Sequence, residues 1–290
     1  MQGSASRAGL VILLVILLAG CSAFGSGVGD SDREPYGVDE PIDPEPPEPD
    51  ELLPGLTSEG VTSSHKLAGA HASALSDRHF SLEQTTTRYR SNGSVAQEHR
   101  LNTTGEADGP ILSYVRFDYV DTEDEASYVS QQDVWHANET YLRTRSTDGS
   151  VHYDRAAGFS SAFLGVGAVQ QGLDSMKNVS VARAEREGET YYVLESSDLS
   201  PDFSNRENAS MRAVVHEEGY VASFRWEYQT VRQETFTEVV ELSTARVGDP
   251  DLNVTAPEWL EDAKEATRDE QGEPSETETE AEETGTETET

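Results

Sequence analysis

Four tight-turn signals punctuate the middle of this chain: Asn92-Gly93, Asp148-Gly149, Gly188 and Glu218-Gly219. Asn-Gly and Asp-Gly supply the positive φ that a two-residue hairpin turn demands, so each joins a pair of antiparallel strands. The runs so joined are His79–Arg90 with Ser94–Thr104, Thr140–Ser146 with Ser150–Arg155, Val179–Glu185 with Thr190–Ser196, and Met211–Glu217 with Tyr220–Thr230. Pro110–Val120, Asp133–Ala137 and Val231–Val247 have the same extended character. Successive hairpins dictate an antiparallel sheet.

Two segments change the period. Val61–Asp77 opens with Ser and Thr caps and places Leu67, Ala70, Ala74 and Leu75 at helical spacing. Ala156–Met176 carries Phe159, Phe163, Leu164, Val166, Val169 and Leu173 on a helical stripe weakened by glycines. The expected class is α+β: a strongly curved antiparallel sheet of about ten strands, an unclosed barrel, with two helices on its concave face.

The ends are of another kind. Residues 1–20 read as a polar start with Arg7, then the apolar run Leu10–Ala19. That run is shorter than the ~20 residues a bilayer span requires and has the length of a signal-peptide core. Residues 21–53 are Gly/Ser-rich, then rich in Pro and acid, and cannot bury a core; they read as a stalk. Residues 261–290 are Glu/Thr repeats without apolar periodicity, expected to be a disordered, solvated tail. Between them, residues 54–260 are expected to form one body.

The chain holds 55 Asp and Glu against 21 Lys and Arg, a net charge of -34, and its lysines are Lys66, Lys177 and Lys264 alone. Short carboxylates in place of long lysine stems suit a protein that works in molar salt, where the screening length falls to ~3 Å. An ordinary acidic protein with a disordered tail remains the alternative. Either way, no basic stripe exists to release counterions from a nucleic acid.

Leu18-Ala19-Gly20-Cys21 resembles the lipobox of lipoprotein precursors. The resemblance implies cleavage before Cys21, a thioether-linked lipid on its thiol, and a mature protein anchored to the extracytoplasmic face of the cell membrane. A two-chain lipid would be required for stable anchoring. Cys21 is the only cysteine, so no intrachain disulfide can form. Asn92, Asn102, Asn138, Asn178, Asn208 and Asn253 each stand two residues before Ser or Thr, the N-glycosylation pattern of an exported chain with exposed turns.

Catalytic signals are missing from the pattern. The seven histidines form no His-x-x-x-His or His-x-His pair, so no metal site is expected. Gly158–Ala162 lacks the second glycine of a nucleophile elbow, and Gly165-Val166-Gly167 lacks the lysine of a phosphate loop. The expectation is a protein that is not an enzyme and holds no cofactor. Phe159, Phe163 and Leu164, with Trp135, Tyr141, Tyr192, Phe224 and Trp226 on strands, are candidates to line an apolar ligand cavity. The same residue types equally make a filled core.

The order of elements resembles the Lol-type lipoprotein carriers and related mycobacterial cell-envelope lipoproteins. The local cues are Ala74-Leu75 followed by Phe80-Ser81-Leu82, the run Gly188–Leu194, and the hairpin at Glu218–Val221. That resemblance implies an unclosed barrel whose helical cover overlies a cavity for acyl chains. The whole layout is also similar to a group of haloarchaeal acidic surface lipoproteins. Two functions are expected in competition: a surface lipoprotein that binds or carries a lipid or other apolar ligand, or a structural and interaction protein with a filled core.

Overall fold

A computed structural model describes residues 50–119, 128–231 and 234–268. The leader, Cys21, the stalk up to residue 49 and the tail from residue 269 lie outside the described residues.

The described chain opens with a small antiparallel sheet of β1 (Glu51–Leu53), β2 (Leu56–Thr57) and β3 (Gly60–Val61). Helix α1 (Ser64–Ser76) follows, started by Ser63, whose hydroxyl accepts from the backbone N–H of Lys66 at 3.2 Å. Then comes a meander of β4 (Phe80–Arg90), β5 (Val95–Gly105), β6 (Ile111–Tyr119), β7 (Val129–His136), β8 (Thr140–Ser146) and β9 (Val151–Ala156). A 3-10 turn at Ser161–Leu164 leads into α2 (Val166–Ser175). A second meander holds β11 (Ser180–Arg186), β12 (Glu189–Ser196), β14 (Arg206–His216), β15 (Val221–Val231) and β16 (Thr235–Ala245). The two-residue strands β10 (Met176–Lys177) and β13 (Asp198–Leu199) pair with each other beside it. A last helix, α3, spans Leu260–Ala266.

The eleven long strands make one antiparallel sheet in the order β11-β12-β14-β15-β16-β4-β5-β6-β7-β8-β9. The last strand pairs with the first, from Phe236↔Arg90 to Ala245↔Ser81, and so stitches the two meanders side by side. The strands β9 and β11 end the row unpaired to one another, which leaves the barrel unclosed. The expected class is therefore the observed one, with eleven strands where about ten were expected.

Register assigns the two faces, because paired residues share a face and neighbours along a strand alternate. Leu82, Thr103, Ser113 and Val134 are paired in one row; Phe224, Leu242 and Gln84 belong to another on the same side. We call this the inner face, because α1 and α2 pack on it: Leu67, Ala68 and Leu75 of α1 and Val169 and Leu173 of α2 join the same buried cluster.

Three boundaries differ from the sequence reading, each for a visible reason. The second helix is expected over 156–176, but Gly165 takes a left-handed φ of 72° and splits it into the 3-10 turn and α2. The expected stalk, which runs to residue 53, takes in the whole of β1, where Leu53 is buried in the inner cluster. The tail boundary at residue 261 falls inside α3, where Ala263 is buried against the sheet; a short apolar stripe of Trp259, Leu260 and Ala263 is too brief for a periodicity to reveal.

Candidate functional site

The inner face has a covered part and an uncovered part. In the covered part the helices sit directly on side chains. A Cβ added to Gly172 of α2 would lie 2.4 Å from Cζ of Phe224, and one added to Gly165 would lie 2.3 Å from Cδ1 of Leu242. Both glycines thus let the backbone approach rings and branched chains that already fill the space. His71 of α1 locks the arrangement. Its Nδ1 accepts from the backbone N–H of Val221 at 3.0 Å, which fixes the proton on Nε2, and Nε2 donates to the carbonyl of Leu164 at 2.9 Å. One imidazole therefore ties α1 to β15 and to the turn before α2. Burial drives its pKa down to about 4, so it is neutral in its native setting.

Further along the strands the same face carries a different set of side chains. By register, Trp226, Tyr228 and Thr230 of β15 share it with Val240, Glu238 and Phe236 of β16, with Thr86, Arg88 and Arg90 of β4, and with His99 and Phe117 of β5 and β6. Phe117 and Phe236 are only partly buried, Tyr119 is exposed, and all three stand outside the cluster that α1 and α2 build. His99 meets Phe117 edge-on at 4.9 Å, and Tyr119 meets Tyr128 at 5.0 Å. Tyr228 donates its hydroxyl proton to Glu238, which also pairs with Arg88 at 3.4 Å. Burial, and then that carboxylate, push the Tyr228 phenol well above its usual value.

Arg206 sits at the head of this region. Its guanidinium carbon lies 4.8 Å from the Phe203 ring, 4.6 Å from Trp226 and 4.3 Å from Tyr228. Alternation counted back from Met211 would put Arg206 on the outer face. A bulge between Glu207 and Ser210, with Asn208 at φ 50°, shifts the register by one and turns it inward, where it pairs with Thr230. Neither Arg206 nor Phe203 is readable as a site residue from sequence, since a bulge leaves no reliable mark in the pattern; the one cue is Asn208, a residue type that tolerates positive φ.

The candidate cavity residues divide accordingly. Leu164, Phe224 and Trp226 are buried in the inner cluster, and Phe159, Phe163 and Tyr192 pack against it. Thr103 donates to the carbonyl of Phe163 at 2.6 Å, which seats the 3-10 turn on the sheet. Trp135 is elsewhere. It pairs with Leu112 and Tyr141, while its neighbour Val134 faces inward, so Trp135 and Tyr141 lie on the outer face. There they bury Val254, Trp259, Leu260 and Ala263 of the C-terminal segment. Beside them Arg143 reaches the fully buried Asp133 at 2.5 Å and lies over Trp259 at 5.2 Å.

All six sequon asparagines are exposed. Open clefts occur on other parts of the surface. One of about 410 Å³ lies by His136, Glu139, Arg155 and Thr267, and three of about 440–540 Å³ adjoin Arg225 on the outer face. Among the described residues, no three His, Cys, Asp or Glu are grouped to hold a metal ion, and no helix is long and apolar enough to cross a membrane.

No sequence profile of a known family matches the chain, and neither does any curated protein. Among solved structures it is similar to a DUF1329 family protein from Desulfovibrio piger, at 12% identity over 66% of this chain and 93% of that one, with a TM-score of 0.26. It is similar also to a LolA superfamily protein from Nitrosomonas europaea, at 10% identity over 66% and 95%, TM-score 0.24. A third likeness is to a domain described as an outer membrane lipoprotein-sorting protein from Vibrio parahaemolyticus, at 9% identity over 65% and 93%, TM-score 0.25. Likeness at these scores extends to no claim about ligand or partner.

Proposed function

We propose that this chain is a non-enzymatic lipoprotein of the extracytoplasmic membrane face, anchored through Cys21, whose inner sheet face binds a lipid or other apolar ligand. The observation that carries the reading is the unequal cover of that face. Two helices fill one part of it. The rings of Phe117, Tyr119 and Phe236 continue the face beyond them and remain partly exposed. A row of half-exposed rings on the inside of an unclosed barrel is the lining that a flexible apolar chain fits. The exposed sequons suit a glycosylated envelope protein, and the acidic surface suits molar salt.

A competing reading, an interaction protein with a filled core, is favoured by the close seating of Gly172 on Phe224 and Gly165 on Leu242. Native mass spectrometry of the full chain, purified in molar salt, separates the two. A co-purifying mass that is lost on denaturation and proves to be a lipid or isoprenoid supports binding. A clean apo mass that takes up no added lipid or apolar dye leaves the interaction protein as the account of the fold.

A further inference from the structure

We infer that the ligand of the inner face carries an anionic head group and that Arg206 is its anchor. This rests on the apolar-ligand reading above and names the polar end of that ligand. The starting point is an unmatched cation. Among the described residues the Arg206 side chain makes no hydrogen bond and no ion pair, and its Nη1 is buried without a partner. Its only close contacts of note are the faces of Phe203, Trp226 and Tyr228.

Such isolation is out of keeping with the chain. Carboxylates outnumber basic side chains here by 55 to 21, so a carboxylate partner is the easiest thing for this sequence to supply. Around Arg206 it supplies none. Glu207, next in the chain, pairs in register with Gln229 and faces outward. Glu238, one strand beyond Tyr228, is already occupied by the Tyr228 hydroxyl and by Arg88. In the same region Nε of Arg88 and Nε1 of Trp226 are buried without partners too, while the unpaired acceptor of this face, Oε1 of Gln84, lies in the part that the helices cover.

A guanidinium carbon held over ring faces leaves its N–H groups to donate to a planar or tetrahedral oxyanion, and such charge-assisted bonds are the strong ones. The half-exposed rings of Phe236, Phe117 and Tyr119 lie on the same face for the apolar part of the molecule. The occupant that fits both is an anionic amphiphile: one alkyl or isoprenoid chain ending in a phosphate, sulfate or carboxylate.

The test is isothermal titration of the full chain, in molar salt and below the micelle threshold, with n-decyl phosphate, n-decanol and inorganic phosphate. The expected result is that decyl phosphate binds about 10–100-fold more tightly than decanol, the factor one charge-assisted hydrogen bond contributes. Inorganic phosphate alone gives no comparable heat. In Arg206→Gln the ratio of the two affinities falls to about one, and in Arg206→Lys, which keeps the charge, a preference remains. Far-UV circular dichroism reports whether each variant is folded; should the glutamine variant not fold, the wild-type ratio and the lysine variant decide.

Equal affinities in the wild type, or a ratio unchanged in Arg206→Gln, overturn the head-group assignment and leave apolar binding standing. Failure of both decyl probes to bind sinks the apolar-ligand reading itself, and this inference with it. Inorganic phosphate that binds as tightly as decyl phosphate also overturns it, because the site would then be a bare anion site with no use for the rings.

Discussion

Two arginines lie over tryptophan rings, one on each face of the sheet, and the chain completes only one of them. On the outer face Arg143 stands 5.2 Å from the Trp259 ring and meets Asp133 through both Nε and Nη2, while Gln131 donates to the other carboxylate oxygen at 2.7 Å. That carboxylate is fully buried, and every partner it needs comes from the protein. On the inner face Arg206 stands 4.6 Å from Trp226 with no carboxylate at all. A buried charge pair with its hydrogen bonds met is a structural device; here it clamps the C-terminal segment to the sheet. A half-buried cation whose Nη1 is buried without a partner costs stability, and it leaves a place that a ligand can complete.

The largest effect should come from breaking the complete site. Asp133→Asn removes the charge opposite Arg143 and strands a largely buried guanidinium, at a cost of about 3 kcal/mol. Denaturant unfolding in molar salt measures it. A loss below about 1 kcal/mol would mean that water relieves Arg143, and the contrast between the two faces would then have no energetic basis.

Acid should act on the inner face through His71. Folded His71 takes up its proton only near pH 4, whereas the unfolded side chain does so at its ordinary 6.5. The unfolded state thus binds the extra proton between these values, and stability falls as pH drops from about 6.5 to 4. Over that window the loss approaches about 3 kcal/mol. Carboxylates titrate near the same window, so the informative quantity is the difference from His71→Gln, whose amide can offer the same donor and acceptor without a charge. Parallel pH curves for the two proteins would refute the linkage.

The sequence displayed this architecture far better than it displayed the site. Turn chemistry at Asn92-Gly93, Asp148-Gly149 and Glu218-Gly219 is local, so the hairpins could be read residue by residue. The pairing of β16 with β4 joins residues some 150 positions apart and leaves no local trace. Trp135 shows why residue type alone misplaces a side chain. It is as aromatic as Trp226, yet register sends it to the outer face, and its partner Trp259 comes from a segment whose fold could not be read. Arg206 was hidden by the bulge at Asn208. The lipobox-like run Leu18–Cys21, in contrast, is read from sequence alone, because it lies outside the described residues.

A smaller effect tests how full the covered part is. Gly172→Ala should gain about 1 kcal/mol from helix propensity. It should lose about 1–3 kcal/mol because the new methyl meets the Phe224 ring at 2.4 Å. The expected net is a loss of about 0–2 kcal/mol in denaturant unfolding. A variant more stable than the wild type would show that α2 can lift, and that the space beneath it belongs with the uncovered, ligand-accepting part.

The smallest effect is the most telling. Arg206→Gln removes ring contacts that contribute about 1 kcal/mol but also removes a buried donor that nothing satisfies. The two changes oppose one another, so unfolding free energy should move by less than about 1 kcal/mol in the absence of ligand. Against the cost of Asp133→Asn, that near-neutrality is the signature of a cation the fold does not use. A loss as large as that of Asp133→Asn would make Arg206 a structural wedge over Trp226. Its lack of a counter-charge would then say nothing about a ligand, because packing alone would explain why the side chain is there.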